Sequence, residues 1–191
     1  MQIDKKLNLV LTVDRADRAS IFVHSTPIRQ EIFTRYYAII AKTFTRIYGD
    51  GLGFLAGPRV AAMILRDVAK AQEQLDGPGG AENGLLNEIK RLTAVIAPGI
   101  SGWETLPFVE AVARKILSDD EVSEVENAIV FFIVASAMHR KSELTGVLDG
   151  AKAIWGGQIV SSTSTEYAAS LPISTTAEAS GAREIASSIP S

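Results

Sequence analysis

The chain has 191 residues, 47% of them hydrophobic, a formal net charge of −3 from 19 basic and 22 acidic side chains, and no cysteine. A chain this long can bury a core without disulfides or a structural metal, and its apolar content argues against wholesale disorder. The near balance of charge gives no field to hold a polyanion, so no nucleic acid partner is expected, and the missing cysteines exclude disulfides, thiol chemistry and the commonest zinc ligands.

The N-terminal Met1-Gln2-Ile3-Asp4-Lys5-Lys6 runs into an alternating pattern instead of an apolar core, so no secretory signal is expected. Leu7, Leu9, Leu11 and Val13 alternate with Lys6, Asn8, Val10 and Thr12, the period of a half-buried strand. After the polar turn Asp14-Arg15-Ala16-Asp17-Arg18, a second alternating run carries Ala19, Ile21 and Val23. The two read as a β-hairpin over roughly residues 6–24. An isolated hairpin is marginal in water, so it must pack on helices or on another subunit.

The period then changes to 3.6. Thr26-Pro27 predicts a cap and first helical position, followed by the stripe Ile28, Ile32, Tyr36, Ile39, Ile40, Thr43, Phe44 and Ile47. The stretch 49–57 breaks it. A second helix is expected from Pro58, with Val60, Ala61, Ile64, Leu65, Val68 and Leu75 on one face and a breaker at Asp76-Gly77-Pro78-Gly79-Gly80. A third carries Leu85, Leu86, Ile89, Leu92, Val95 and Ile96 and stops at Pro98-Gly99. A loop through Gly102-Trp103-Glu104 leads to a short fourth helix with Phe108, Val109, Val112 and Ile116.

Ser118-Asp119-Asp120-Glu121 is a capping box with acidic residues suited to the helix dipole. It opens a fifth helix whose stripe of Val122, Val125, Ile129, Phe132, Ile133 and Ser136 is widened by Phe131 and Val134, so the helix should be central. Its most apolar run, Ala128 to Met138, is eleven residues. A membrane span needs about 20, so no membrane partner is expected. A sixth segment carries Val147, Leu148, Ala151, Ile154 and Trp155. From Gln158 the chain turns serine- and threonine-rich, with too little apolar surface to offset its ordering entropy. The expected architecture is mainly α: a bundle of about five or six helices with an N-terminal β-hairpin (residues 1–157) and a Ser/Thr-rich tail (158–191).

No catalytic, cofactor-binding or metal site is expected. Gly49-Asp50-Gly51-Leu52-Gly53 lacks the lysine of a phosphate loop and follows a helix instead of a strand, which favours a helix–helix connector. The only histidines are His24 and His139; His139 has Glu143 one turn on but no further ligand at metal spacing. Asp119, Asp120, Glu121, Glu124 and Glu126 are accounted for by capping and a solvated helix face. Ser101, in Gly99-Ile100-Ser101-Gly102, lacks a nucleophile elbow. Trp103 and Trp155 read as packing residues ahead of partner anchors.

Several stretches resemble proteins encoded among the tail genes of long-tailed bacteriophages: His24-Ser25-Thr26-Pro27-Ile28, Tyr48-Gly49-Asp50-Gly51-Leu52-Gly53, Ala56-Gly57-Pro58-Arg59-Val60-Ala61-Ala62, Gly102-Trp103-Glu104-Thr105-Leu106-Pro107 and Val125-Glu126-Asn127-Ala128. The resemblance spans residues 24–170 and is to the tail assembly chaperones. It implies a helical, self-associating, non-enzymatic protein in the infected host's cytoplasm. Such a protein coats the tape measure protein, recruits tail tube subunits and leaves before the virion matures. Apolar helical stripes fit such helical clients, and the hairpin's open edge would serve self-association. Two rival expectations remain. One is a structural virion protein of the tail or head–tail junction, acting through subunit packing. The other is a small enzyme, which would need a deep pocket around His139 or clustered carboxylates.

Overall fold

The computed structural model describes residues 7–16, 18–76, 80–139 and 157–172. In chain order the elements are β1 (Asn8–Val13), β2 (Ile21–Ser25), α1 (Gln30–Gly49), α2 (Gly53–Asp76), α3 (Gly80–Arg91), β3 (Thr93–Gly99), β4 (Gly102–Pro107), α4 (Phe108–Ala113), α5 (Asp119–Met138), β5 (Gln158–Val160) and α6 (Ser164–Ser170). The expected sixth segment, with Val147, Leu148, Ala151, Ile154 and Trp155, lies outside the described residues, as does 173–191.

The hairpin forms where its alternation predicts, but the mainly α helical bundle is overturned. The hairpin is the middle of a five-stranded antiparallel sheet of order β4-β3-β2-β1-β5. Register explains the burial. Leu11, Val23, Val95 and Leu106 align across four strands and face the helices; Thr12, Phe22, Ile96 and Thr105 align on the opposite, outer face. Each fully buried Val or Ile in these rows stabilises by about 1.5–3 kcal/mol. Because β3 is covered on both faces, Thr93-Ala94-Val95-Ile96-Ala97 reads as a continuous apolar run, which periodicity does not distinguish from a buried helix. That is why Val95 and Ile96 fell into the expected third helix. The helix ends at Arg91, where Thr93 Oγ1 donates to Ile89 O at 2.9 Å and the chain turns into the sheet.

Two further boundaries shift. Residues Thr26-Pro27 do not cap α1; the Thr26 amide donates to Leu92 O at 3.0 Å, which keeps this stretch extended beside β3 until Gln30. Helix α2 starts at Gly53, and Pro58 lies inside it. Its neighbour Gly57 is where three helices crowd. A Cβ there would sit 2.8 Å from Ile47 Cγ2 and 3.0 Å from Phe131 Cε2, so only glycine lets α2 approach α1 and α5 this closely.

Helix α5 is the spine, as its pattern predicts. Both halves of the capping box form: the Glu121 amide donates to Ser118 Oγ at 3.3 Å, and the Ser118 amide donates to Glu121 Oε2 at 2.7 Å. The stretch from Val125 to Ala135 is buried almost all round, Asn127 being half-buried.

The Ser/Thr-rich segment also departs from expectation in its first part. Gln158–Val160 adds β5 to the β1 edge, and Ser164–Ser170 forms α6 across the outer face. Thr163 and Glu166 make a second capping box, with 3.3 Å and 2.7 Å bonds, so part of the hydroxyl run is a helix start. Tyr167 and Ala168 close a small second core with Val10 and Ile96, flanked by Phe22, Trp103, Val160 and Leu171.

Candidate functional site

The residues with chemical potential are dispersed. Gly49–Gly53 is a helix connector, and Gly51 and Gly53 adopt positive φ of 71° and 45°. Ser101 is exposed at the tip of the β3–β4 hairpin. His24 is buried on the outer face of the sheet, where its Nε2 donates to Ser162 O at 2.9 Å; Asn8 Nδ2 donates to the same carbonyl at 2.8 Å. His139 caps the C-terminus of α5. Its Nδ1 donates to Ala135 O at 3.0 Å, and its ring sits edge-on to Phe44 and Tyr48 at centroid distances of 5.2 and 6.1 Å. Both histidines have structural work, on different sides of the protein. Glu143 and Trp155 lie outside the described residues. Trp103 packs on the outer face, edge-on to Phe22 at 5.4 Å, and donates from Nε1 to Pro172 O at 2.6 Å.

The acidic run divides. Asp119, Asp120 and Glu124 are exposed. Glu121 is more than a cap: Arg15, from the hairpin turn, pairs with it through Nε to Oε1 at 2.7 Å and Nη2 to Oε2 at 2.8 Å, and also donates to Ile116 O. The Arg15 guanidinium beside it holds the Glu121 carboxyl below the usual carboxylate range, against the opposing pull of burial. Glu126 is not on a solvated face. It is 6% exposed and shared by Arg66 of α2 and by Lys90 of α3, whose Nζ lies 2.6 Å from Oε1. Next to it Asn127 Oδ1 accepts from the Ala62 amide at 2.9 Å. These two polar residues fasten α5 to α2 and α3. A charged residue inside an otherwise apolar stripe was the only signal for this pairing.

Two concavities are lined by described residues. A cleft of about 280 Å³ lies between the end of β1 and the start of α5, lined by Thr12, Val13, Asp14, Glu121, Glu124 and Val125 among others. Its best-placed carboxylate, Glu121, is already held by Arg15. The other is an open groove of about 440 Å³ between α1 and α2. Ala41, Thr45, Val68 and Ala71 form a floor of short side chains, and Lys42, Arg46 and Asp67 form the rim. One turn beyond Ala41 and Asp67 on the same helical faces stand Tyr37 and Met63, exposed by 52% and 56%. Among the described residues, α1 and α2 expose Arg35, Lys42, Arg46, Arg59 and Lys70 beside Glu31 and Asp67, and the last turns of α2 add Glu73 and Asp76 to its sequence.

The hairpin edge expected to serve self-association is not open, because β2 pairs with β3 and β1 with β5. The outer strand on the far side is β4. Ile100, at the tip joining it to β3, is 96% exposed, and Val109 of α4 is 61% exposed.

Among the described residues there is no cluster of three or more metal-ligating side chains, and no helix is long and apolar enough to cross a membrane. No protein-family model matches the chain, and no curated protein or solved structure matches it either.

Proposed function

We propose that this chain acts by binding proteins and not by catalysis, and that the α1–α2 groove takes an amphipathic helix of a partner. The observation that carries the reading is the groove itself: a floor of short side chains between two helices, with exposed Tyr37 and Met63 one helical turn away along α1 and α2. A floor of that kind lets another helix approach closely, and large exposed apolar side chains a turn away supply anchors. Lys42 and Arg46, which line the groove, complement a client helix with acidic flanks. Combined with the resemblance to tail assembly chaperones, the specific form of the proposal is a phage chaperone in the host cytoplasm. It self-associates, covers helical stretches of the tape measure protein and recruits tail tube subunits.

Co-expression tests this form. The tape measure protein of the same phage should stay soluble with the wild-type chain and aggregate with Met63→Glu, which places a carboxylate beside the groove, and mature particles should lack the chain. Abundant peptides of this protein in purified virions would replace the chaperone with a structural virion component. Equal solubility with and without the chain would remove the chaperone reading.

A further inference from the structure

The outer face of the sheet has the chemistry of a peptide-binding groove. Its floor is apolar, with Val10, Phe22, Ile96 and Trp103. Its polar groups are side-chain donors aimed at main-chain carbonyls: Asn8 Nδ2 and His24 Nε2 both reach Ser162 O, and ten residues further along Trp103 Nε1 reaches Pro172 O. The β1 edge supplies a ladder for an added strand. Strand addition at one end, carbonyl hooks along the way and an apolar floor for a short capped helix are the elements of peptide recognition by a sheet edge. In the structure the occupant is the chain's own segment 157–172.

We infer that this groove also accepts segment 157–172 of a second copy, so that the protein self-associates by exchanging this strap. Three observations carry the step. First, the strap packs on the outer face and the β1 edge, while the large core between sheet and helices is built mostly by other elements. The body that would receive a foreign strap therefore keeps its main core. Second, the strap is held by few large apolar side chains, chiefly Tyr167 and Leu171, and Asn8 Oδ1 beneath it has no hydrogen-bond partner among the described residues. Third, residues 140–156 separate the end of α5 from the strap. Seventeen residues can reach at most about 55–60 Å when extended, enough to cross to a neighbour. A strap that leaves would expose the β1 edge and an apolar floor, which a second copy carries the matching segment to cover. This inference rests on the self-association part of the proposed function and not on its client.

The absence of cysteine makes a clean test. Asn8 and Val160 are Cα partners in the β1–β5 ladder, and paired positions of antiparallel strands stand about 4.5–5.5 Å apart, within disulfide range. Full-length Asn8→Cys and full-length Val160→Cys are mixed and oxidised across a concentration series. Asn8→Cys with Ser170→Cys serves as the out-of-register control. Exchange predicts a mixed disulfide dimer at least fivefold more abundant than the control, rising with concentration, and at least tenfold reduced when Tyr167→Ala is added to the strap-bearing chain. The double variant Asn8→Cys/Val160→Cys checks folding, since closure within one chain proves that the register survives. If it closes only within one chain at every concentration and the mixture yields no excess dimer, exchange is wrong. Sedimentation of the wild-type chain then separates the failures. A dimer without the cross-chain disulfide leaves self-association standing through another surface; a monomer removes both.

Discussion

Replacing Glu126 by leucine should cost this protein more than its position on a surface-patterned acidic run would suggest. The carboxylate is 6% exposed and lies between Lys90, at 2.6 Å, and Arg66. Removing one partner of a fully buried ion pair costs about 3–5 kcal/mol, because the remaining charge is left in a poor solvent. Here the cations are less confined: the Lys90 and Arg66 side chains are 24% and 35% exposed, and Arg66 has other interactions. Partial rehydration lowers the expected loss to about 2–4 kcal/mol. For a chain of this size that is a fall of about 4–16 °C in Tm, readable by thermal and urea unfolding followed by circular dichroism. Adding Arg66→Met and Lys90→Met should recover stability to within about 1 kcal/mol, since an all-apolar replacement leaves no stranded charge. A Glu126→Leu midpoint indistinguishable from wild type would show that the carboxylate is not the shared anion of α2, α3 and α5.

Phe132→Ala, at a position 1% exposed on the most buried helix, should cost about 3–5 kcal/mol; an unchanged urea midpoint would misplace the core. Gly57→Ala should destabilise despite alanine's helix preference of about 1 kcal/mol, because the new methyl meets Ile47 and Phe131, both buried; a gain in Tm would show that the helices can move apart. Glu121 has a folded pKa below its unfolded one, so its contribution is full above the unfolded value, about 4.3, and is lost as pH falls through the depressed folded value. Glu121→Gln should therefore be less stable than wild type at neutral pH and lose less stability on acidification. Parallel stability-against-pH curves for the two would contradict the Arg15 pairing.

The alternation of β1 and β2 and the capping box of α5 are legible and survive in the structure. The outer face of the hairpin is covered as well, but Asn8, Thr12 and His24 keep polar residues there, so the period of two is preserved. In β3 apolar residues fill both faces. β3 lost its alternation because α6 lies over Ile96 while the helices lie over Val95. β4 has the glycine-led, mixed composition of a loop, although Gly99 and Gly102 pair across a two-residue hairpin turn, Ile100-Ser101, with Gly102 at φ 132°. The strap was masked by composition, since Thr163 and Glu166 spend polar residues on a cap and only Tyr167, Ala168 and Leu171 carry apolar weight. The groove was invisible for another reason. Ala41, Thr45 and Ala71 lie outside the apolar stripes from which the helices were read, and only the pairing of α1 with α2 brings them together.

The central claim, that the α1–α2 groove binds a helical client, is tested most directly by calorimetric titration of the full-length protein with synthetic amphipathic segments of the tape measure protein that carry acidic flanks. The wild-type chain should bind one segment per groove with saturable heat, and Met63→Glu should weaken binding at least tenfold, a change of about 1.4 kcal/mol or more. Absence of binding to the wild type, or equal affinity for the variant, would contradict it.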